Sequence, residues 1–459
     1  MQLQAGKHAV VIGLGTSGMA AVRFLHTRGL QVSVSETRPA EKLRPDDLAA
    51  LSSLEVKIET GGHTGEFLSR ADLVLPSPGV PLDLPALAII RARGIPIIGE
   101  IALAAGEISV PVIAVTGSNG KTTVTSLIGH LLRKAGRKIF VGGNIGTPVL
   151  DYLAGDQSAE AVVLELSSFQ LEIGGSFRPD IGLLLNISPD HLDRHGSMEK
   201  YAAAKQRLFV NQQEEDVAIL CGDDPLLKMK PAGRANTVLR FGIHSDSQAL
   251  VMDSGVRVSA APGGSSITEE YDLRQTALSS FVNRLNAAAA ILAVRSYGCS
   301  ADEIRRGLAD YATPAHRMSL VGEIDGVRYI DDSKGTNIGA VAAALASCGS
   351  PAILIAGGRD KGSDFRLLTP AVQEHVRHLV LLGEAADRMD EALGSVVPAE
   401  RAENMGDAVR LAAAAARSGD TVLLSPGCAS FDMFDSYAHR GEAFRQAVFD
   451  LHSRQQESV

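Results

Sequence analysis

The amino-acid sequence predicts an α/β protein built on parallel sheets. Short apolar runs alternate with helical stretches along the whole chain, and this alternation is typical of βαβ units. Glycine-rich turns follow two of the runs and precede helices, which is where parallel sheets bind phosphates. The runs predicted as strands are residues 8–12, 32–35, 73–75, 97–98, 111–115, 161–164, 181–185, 217–220, 329–330, 352–356, 379–382 and 421–424.

The chain is expected to fold as several domains. Its 459 residues are too many for one ordinary hydrophobic core. The order of the predicted elements places the domains at residues 1–107, 108–312 and 313–459. Segment 240–280 is richer in Ser, Gly and Asp than its surroundings, which indicates a β-meander or an insertion.

Composition excludes several classes of protein. The net charge of −9, from 44 basic and 53 acidic residues, argues against a nucleic-acid-binding protein, which needs a basic surface. The four cysteines are far apart and form no Cys-x-x-Cys pair, so we expect neither a disulfide framework nor a zinc site. The sequence has no signal-peptide pattern and no apolar run long enough to span a membrane. We therefore expect a cytoplasmic enzyme.

The first glycine-rich turn is a Gly-x-Gly-x-x-Gly motif at residues 13–18. With Glu36 at the end of the next predicted strand, it is typical of a dinucleotide-binding fold and, taken alone, favours NAD. A different diphosphate, such as uridine diphosphate, would satisfy the same geometry. Thr37 and Arg38 follow Glu36 and supply a hydroxyl and a cation suited to a phosphate.

The second turn, Thr-Gly-Ser-Asn-Gly-Lys-Thr-Thr at residues 116–123, predicts an ATP-binding loop. Backbone N–H groups and the helix dipole would hold the anion, Lys121 would meet the terminal phosphates, and Thr122 would reach Mg²⁺. The motif is a variant, because the generic P-loop has a glycine where this chain has Val115. An incidental glycine-rich turn is the less favoured alternative.

Two further strand ends carry candidate metal ligands. Glu165 ends a buried run one βαβ unit after the ATP-binding loop, where a carboxylate usually binds Mg²⁺, although a lone strand-end acid is more often a solvated cap. Residues 188–195 contain two His and two Asp, which could hold a metal or could form a polar loop with a helix N-cap. Lys205 lies in a helical stretch, and its immediate sequence predicts only a surface lysine.

Taken together, residues 116–123, 164–170, 186–195 and 332–337 resemble the Mur ligase family of peptidoglycan precursor synthesis. The resemblance covers all three predicted domains. It implies a Rossmann-like N-terminal domain, a central P-loop-type mononucleotide-binding domain and a Rossmann-like C-terminal domain. Residues 164–170 and 424–437 are similar to the branch that adds D-glutamate to UDP-N-acetylmuramoyl-L-alanine. The implied enzyme is an ATP-dependent carbon–nitrogen ligase that forms an acyl phosphate and then a tetrahedral intermediate.

The resemblance also implies roles for individual residues. The uridine-diphosphate site would comprise Gly15, Thr16, Ser17, Thr37, Arg38, Ser77 and Gly79, with Asn144 and Ser167 near the muramoyl group. The nucleotide site would comprise Gly117, Ser118, Asn119, Gly120, Lys121, Thr122, Thr123, Asn283, Asn286, Arg317 and Asp332. The D-glutamate pocket would comprise Thr336, Lys361, Ser430, Phe431 and Tyr437, and the catalytic residues would be Lys121, Glu165, His191, Lys205 and Lys334.

The same resemblance implies two Mg²⁺ ions. Thr122 and Glu165 match ligands of one ion, and His191 matches a ligand of the other. Lys205 matches a lysine that is carbamylated in the family, and the carbamate can face Mg²⁺. The chain departs from the family around Asn283, because Ser280 and Val282 stand where the family has Gly and His.

Three other functions are compatible with parts of the sequence. A folate-extending ligase of the same superfamily would leave the first glycine motif unexplained. A redox-sensing protein could hold NAD at residues 13–18 and ATP as a regulator. A simple P-loop ATPase would need no amine acceptor. For the ligase we expect a monomer whose third domain closes on the second through a hinge near residues 311–316.

Overall fold

The computed structural model describes residues 3–228, 233–235, 237–260, 266–349 and 351–456. Three separate sheets follow one another along this part of the chain. The domain boundaries predicted at residues 107 and 312 fall between these sheets and stay predictions.

The first sheet has four parallel strands in the order β3-β2-β1-β4. Its strand β1 is apolar and almost wholly buried, as expected for a parallel strand covered on both faces. Predicted strand 97–98 is reduced to an isolated bridge between Ile97 and Val74. The elements are β1 (His8–Ile12), α1 (Thr16–Thr27), β2 (Gln31–Glu36), α2 (Pro45–Ser53), β3 (Lys57–Thr60), α3 (Gly65–Leu68), β4 (Leu73–Pro76), α4 (Pro85–Ala92) and α5 (Glu100–Ala104).

The second sheet has nine strands in the order β13-β12-β11-β10-β9-β8-β5-β7-β6. Its elements are β5 (Val112–Thr116), α6 (Lys121–Lys134), β6 (Ile139–Gly143), α7 (Val149–Ala154), β7 (Ala161–Glu165), α8 (Ser168–Glu172), β8 (Ile181–Leu184), α9 (Leu192–His195), α10 (Met198–Gln206), β9 (Val217–Cys221), β10 (Thr237–Gly242), β11 (Ala249–Met252), β12 (Gly255–Ala260), β13 (Ser266–Asp272), α11 (Phe281–Tyr297) and α12 (Ala301–Ala309). Strands β11, β12 and β13 pair antiparallel and form the meander predicted in segment 240–280. Residues 261–265 of that segment lie outside the described residues.

The third sheet has six strands in the order β14-β15-β19-β16-β17-β18, and β14 runs antiparallel to its neighbour. Its elements are β14 (Ser319–Ile324), β15 (Val327–Asp331), α13 (Ile338–Ser347), β16 (Ala352–Gly357), α14 (Thr369–His375), β17 (Val376–Leu382), α15 (Ala386–Leu393), β18 (Ala399–Arg401), α16 (Met405–Ala415), β19 (Thr421–Gly427) and α17 (Tyr437–Gln456).

The hydrophobic cores group the three sheets into two packing units. One continuous core joins helix α1 of the first sheet to helix α7 and the second sheet, so these two parts pack as one unit. The third sheet has its own two cores, one on each face. Its contacts with the second sheet around the candidate site are mainly polar. A polar interface of this kind favours movement of the third part relative to the other two.

Candidate active site

The ATP-binding loop predicted from sequence connects β5 to the first turn of α6. Gly120 precedes the helix in a left-handed conformation, with φ of 84°. A Cβ atom there would approach Asn286 Oδ1 to 2.5 Å, so both the backbone conformation and the space require glycine. The first-turn N–H groups of α6 have no partner within the helix, which suits this turn to an anion.

Two lysines converge on the same oxygen of this loop. Nζ of Lys121 and Nζ of Lys205 each donate to the carbonyl oxygen of Gly117 at 2.8 Å. Lys205 is 2% exposed. Burial, reinforced by the charge of Lys121, lowers the pKa of Lys205 well below its usual range. The predicted surface position of Lys205 is therefore wrong, because helix α10 turns this side chain into the protein.

The strand-end carboxylate Glu165 is 2% exposed and lies beside the loop. Thr122 Oγ1 donates to Glu165 Oε2 at 2.7 Å, and Asn144 Nδ2 donates to Oε1 at 2.9 Å. Hydroxyl and carboxylate oxygens are ligands that Mg²⁺ prefers, and Mg²⁺ usually keeps several waters or phosphate oxygens as its other ligands. In the described part of the chain, no three His, Cys, Asp or Glu side chains gather as a complete metal site. The pair fits an ion that is bound mainly through a nucleotide.

The loop after β8 carries His191, whose backbone is left-handed with φ of 54°. Burial lowers the pKa of His191 to about 4, so its ring is neutral at physiological pH and able to bind a metal. The neighbouring Asp190 accepts from Asn337 Nδ2 at 3.2 Å and lies 3.5 Å from Nζ of Lys361. These contacts bring the third domain against the second.

A cavity of 310 Å³ joins these groups. It is lined by the predicted residues Ser118, Asn119, Gly120, Lys121, Thr122, Asn144, Glu165, Ser167, His191, Lys205, Arg317, Lys334, Thr336 and Lys361. Asp190, Asn337, Tyr201, Ser168 and Phe169 also line it, and none of them was given an individual role from sequence. The first two lie within the recognised motifs, whereas nothing local marks Tyr201, whose hydroxyl lies 3.1 Å from Ser118 Oγ.

The other residues predicted for the nucleotide site do not line this cavity but lie close to residues that do. Asn286 Nδ2 donates to Asn283 Oδ1 at 3.2 Å, and Asn286 packs beside Gly120. Thr123 is buried in the first turn of α6. Asp332 accepts from Ser425 Oγ at 2.8 Å, and burial raises its pKa to about 7.

A second cavity, of 500 Å³, lies at the first glycine-rich turn. The predicted residues Gly15, Thr16, Ser17, Ser77, Gly79 and Asn144 line it, together with Glu36. Since Asn144 also lines the first cavity, the two cavities adjoin at this residue.

Thr37 and Arg38 do not contribute to this wall. Thr37 Oγ1 lies 2.8 Å from His63 Nε2, and Arg38 Nη2 donates to Glu36 Oε2 at 3.0 Å and to the Leu14 carbonyl at 2.9 Å. Burial opposes ionisation of Glu36, but hydrogen bonds from Arg38 and the Leu14 N–H outweigh it and lower the pKa of Glu36 to about 2. The acid expected to bind an NAD ribose is thus engaged with the protein itself.

A third cavity, of 830 Å³, opens between all three sheets and adjoins the first at His191 and Lys361. Of the predicted acceptor residues, Lys361 and Phe431 line it, and Phe431 is 64% exposed. Ser430 is buried, and the ring of Tyr437 lies 3.9 Å from Lys334 Nζ. These two side chains are outside the walls of the three cavities but adjoin residues that line them.

No helix in the part of the chain that the structure describes combines the length and apolar character needed to cross a bilayer.

Comparison with known families gives three matches along the chain. Residues 7–99 match the Mur ligase MurD-like N-terminal domain, residues 115–294 match the Mur ligase middle domain, and residues 316–428 match the Mur ligase glutamate ligase domain.

Curated relatives cover nearly the whole chain. A UDP-N-acetylmuramoylalanine–D-glutamate ligase from Desulfotalea psychrophila is 48% identical over 442 residues, covering 96% of this chain and 95% of the relative. A protein of the same name from Syntrophotalea carbinolica is 43% identical over 452 residues, covering 97% of this chain and 98% of the relative.

Solved structures show the same fold at low identity. The UDP-N-acetylmuramate-alanine ligase of Thermotoga maritima is 20% identical with a TM-score of 0.58, covering 99% of this chain and 100% of that one. The MurF ligase of Thermotoga maritima, in complex with ADP, is 18% identical with a TM-score of 0.59, covering 97% of this chain and 96% of that one.

Proposed function

The chain belongs to the Mur ligase family, and on that premise we propose that it joins D-glutamate to UDP-N-acetylmuramoyl-L-alanine. The reaction uses ATP and forms a carbon–nitrogen bond in peptidoglycan precursor synthesis. The named relatives support this activity at 48% and 43% identity over nearly the full chain. The structural observation that carries it is Asn144, which lines both the cavity at the phosphate-binding loop and the cavity at the first glycine-rich turn. A substrate whose uridine diphosphate occupies one cavity can therefore present its carboxylate to a nucleotide in the other.

The chemistry requires activation because a carboxylate repels nucleophiles and has no good leaving group. The muramoyl-L-alanine carboxylate attacks the γ-phosphorus of ATP, the bond to ADP breaks, and an acyl phosphate forms. The amine of D-glutamate then attacks the acyl carbon. The tetrahedral intermediate loses inorganic phosphate and a proton to give the amide.

Side chains from the second and third domains favour both steps. The cavity wall carries the amino groups of Lys121, Lys334 and Lys361, which offset the charge that accumulates on the transferred phosphoryl group. Mg²⁺, when bound beside Thr122 and Glu165, would supply Lewis-acid stabilisation of the phosphoryl oxygens. The third domain excludes water from the acyl phosphate when it lies against the phosphate-binding loop.

We further propose that Lys205 is carbamylated and that the enzyme uses two Mg²⁺ ions. Carbamylation needs a neutral amine, which attacks the carbon of CO₂ and loses a proton. The burial of Lys205 favours that neutral form. The carbamate oxygens and the neutral ring of His191 would be ligands of the second ion. We also propose that the enzyme is a cytoplasmic monomer.

Phosphate release from ATP tests the activity directly. With UDP-N-acetylmuramoyl-L-alanine present, D-glutamate should stimulate release, whereas L-alanine, L-lysine and diaminopimelate should not. Release that is independent of any amino acid would indicate a simple ATPase and refute the ligase. Calorimetry with UDP and NAD provides a second test, because tight binding of NAD alone would favour the redox-sensing alternative.

A further inference from the structure

The guanidinium of Arg440 is buried without a carboxylate among its hydrogen-bond partners. Arg440 lies in the first turn of α17 and is 1% exposed. Its Nε donates to Ser333 Oγ at 3.0 Å, and Nη2 donates to the Ser333 carbonyl at 2.8 Å. Nη1 donates to the carbonyls of Cys428 and Ala429 at 3.1 and 3.3 Å, and Nη2 donates to Cys428 at 3.1 Å. Burying such a charge is costly, and here its donors are used to hold two backbone segments together.

A third segment also packs against this side chain. Gly358 has φ of 128°, and a Cβ atom there would come within 3.0 Å of Arg440 Nη1 and 2.3 Å of the Ala429 carbonyl. Arg359, which follows, exchanges two backbone hydrogen bonds with Ala429, at 2.8 and 3.0 Å. Glycine at position 358 thus allows the segment that leads to Lys361 to lie directly on the guanidinium.

The start of α17 is joined to the same cluster. The hydroxyl of Ser333 accepts from Arg440 and donates to the carbonyl oxygen of Tyr437 at 2.7 Å. Ser333 therefore connects the guanidinium to the segment that carries Tyr437 as well as to its own.

We propose that Arg440 is the positioning residue of the amino-acid acceptor pocket. This inference rests on the proposed function. The Arg440 guanidinium fixes the relative positions of four segments. These segments carry the predicted acceptor residues Thr336, Lys361, Ser430, Phe431 and Tyr437. These residues come from distant parts of the sequence, and Arg440 contacts or is bonded through Ser333 to every one of their segments. It acts through these segments and does not touch substrate.

The planar geometry of the Arg440 guanidinium is essential to this role. Five donor contacts run in fixed directions to three residues, and a lysine ammonium cannot reproduce them although it keeps the charge. A displacement of about 1 Å in a binding group can cost about 100-fold in activity. Loss of this planar geometry should therefore raise the KM for the amino-acid substrate far more than the KM for the nucleotide, whose phosphate-binding loop belongs to the second domain.

The test compares Arg440→Lys with the wild type by steady-state kinetics for each of the three substrates. We expect the KM for D-glutamate to rise about tenfold or more, with the KM for ATP changed less than about twofold. Ser333→Ala removes only the bridging hydroxyl and should give a smaller shift in the same direction. It serves as the deciding variant if Arg440→Lys does not fold.

The matched control is Arg377→Lys in the same domain. Arg377 is paired with Asp420, which precedes β19 at the end of the sheet opposite the cavity. This control should leave all three KM values unchanged. Equal rises in the KM for D-glutamate and for ATP in the Arg440 and Ser333 variants, or no rise in either, would refute the positioning role. A wild-type enzyme that does not consume D-glutamate would refute the proposed function, and this inference with it, before any variant is compared.

Discussion

Asn119 of the phosphate-binding loop and Asn337 of the third domain form a reciprocal amide pair. Each Nδ2 donates to the Oδ1 of the other, at 3.2 and 3.0 Å. Asn337 is 5% exposed, so the pair is largely shielded from water. The third domain has its own hydrophobic cores, and this pair is one of the few direct links between it and the loop that would hold ATP. We therefore expect this contact to couple closure of the third domain to the conformation of that loop.

Replacing Asn337 with Ser should weaken closure without unfolding helix α13. Asn337 Oδ1 also accepts from the Ala340 N–H as the N-cap of that helix, and serine can retain this cap. The variant loses both hydrogen bonds of the amide pair and the one that Asn337 Nδ2 donates to Asp190, each contributing about 1 kcal/mol. We therefore expect kcat/KM for ATP to fall about 10- to 100-fold, and small-angle scattering to show less compaction with an ATP analogue and substrate.

The control for this prediction is Asn404→Ser. Asn404 caps helix α16 of the same domain, accepting from Asp407 N–H at 3.0 Å, and contacts no part of the second domain's loop. It should lower stability by a comparable amount and leave kcat/KM unchanged. Similar kinetics for the two variants would show that the amide pair does not couple closure to ATP binding.

Lys205→Ala should abolish activity, and short carboxylates should partly restore it. The carbamate proposed at this lysine supplies a carboxylate-like group in a buried position, which added acetate or formate can replace. The measurement is phosphate release with increasing carboxylate. Lys200→Ala, an exposed lysine on the same helix, should retain full activity and show no stimulation. An active Lys205→Ala enzyme without added carboxylate would exclude the carbamate role.

Much of the fold could be predicted because central parallel strands are apolar on both faces. Four strands that were missed, β3, β6, β14 and β18, lie at sheet edges, where one side of the strand is unpaired. Two of them, β3 and β18, are also polar. Strand β10 was missed as well, although it lies inside the second sheet. The phosphate-binding loop and Glu165 were predicted because a motif and a strand end mark them locally.

Other site residues carry no such mark. Lys205 looks like any helical surface lysine, and Arg440 looks like a charged residue in a helix. Arg440 is buried only because the order β15-β19-β16 brings residues 333, 358 and 428 together, and that order depends on the whole domain. Local sequence cannot show a contact that depends on strand order.

The activity should fall as pH rises through about 8, where Lys334 loses its charge. Burial, aided by the charge of Arg317, lowers the pKa of Lys334 to about 8 in the free enzyme. The ammonium is present below that pH and lost above it, so kcat/KM for ATP should decline on the alkaline side. Lys334→Arg keeps its charge throughout this range and should move the decline to higher pH. If kcat/KM for ATP declined at the same pH in Lys334→Arg as in the wild type, the decline would be due to the titration of another group.

Arg38→Ala should raise the KM for the UDP substrate about tenfold while changing the KM for ATP less than about twofold. Arg38 does not line the cavity at the first glycine-rich turn, so the effect would arise through Glu36 and the Leu14 carbonyl, which the guanidinium holds in place. Without Arg38 the buried carboxylate of Glu36 loses its cation, and the glycine-rich turn that it fixes becomes less ordered. Arg44→Ala is the matched control, since Arg44 is a largely exposed arginine of the same domain that also pairs with an acid, Asp47. If both KM values rose equally in Arg38→Ala, or if Arg44→Ala behaved in the same way, the residue would be acting on stability and not on the diphosphate site.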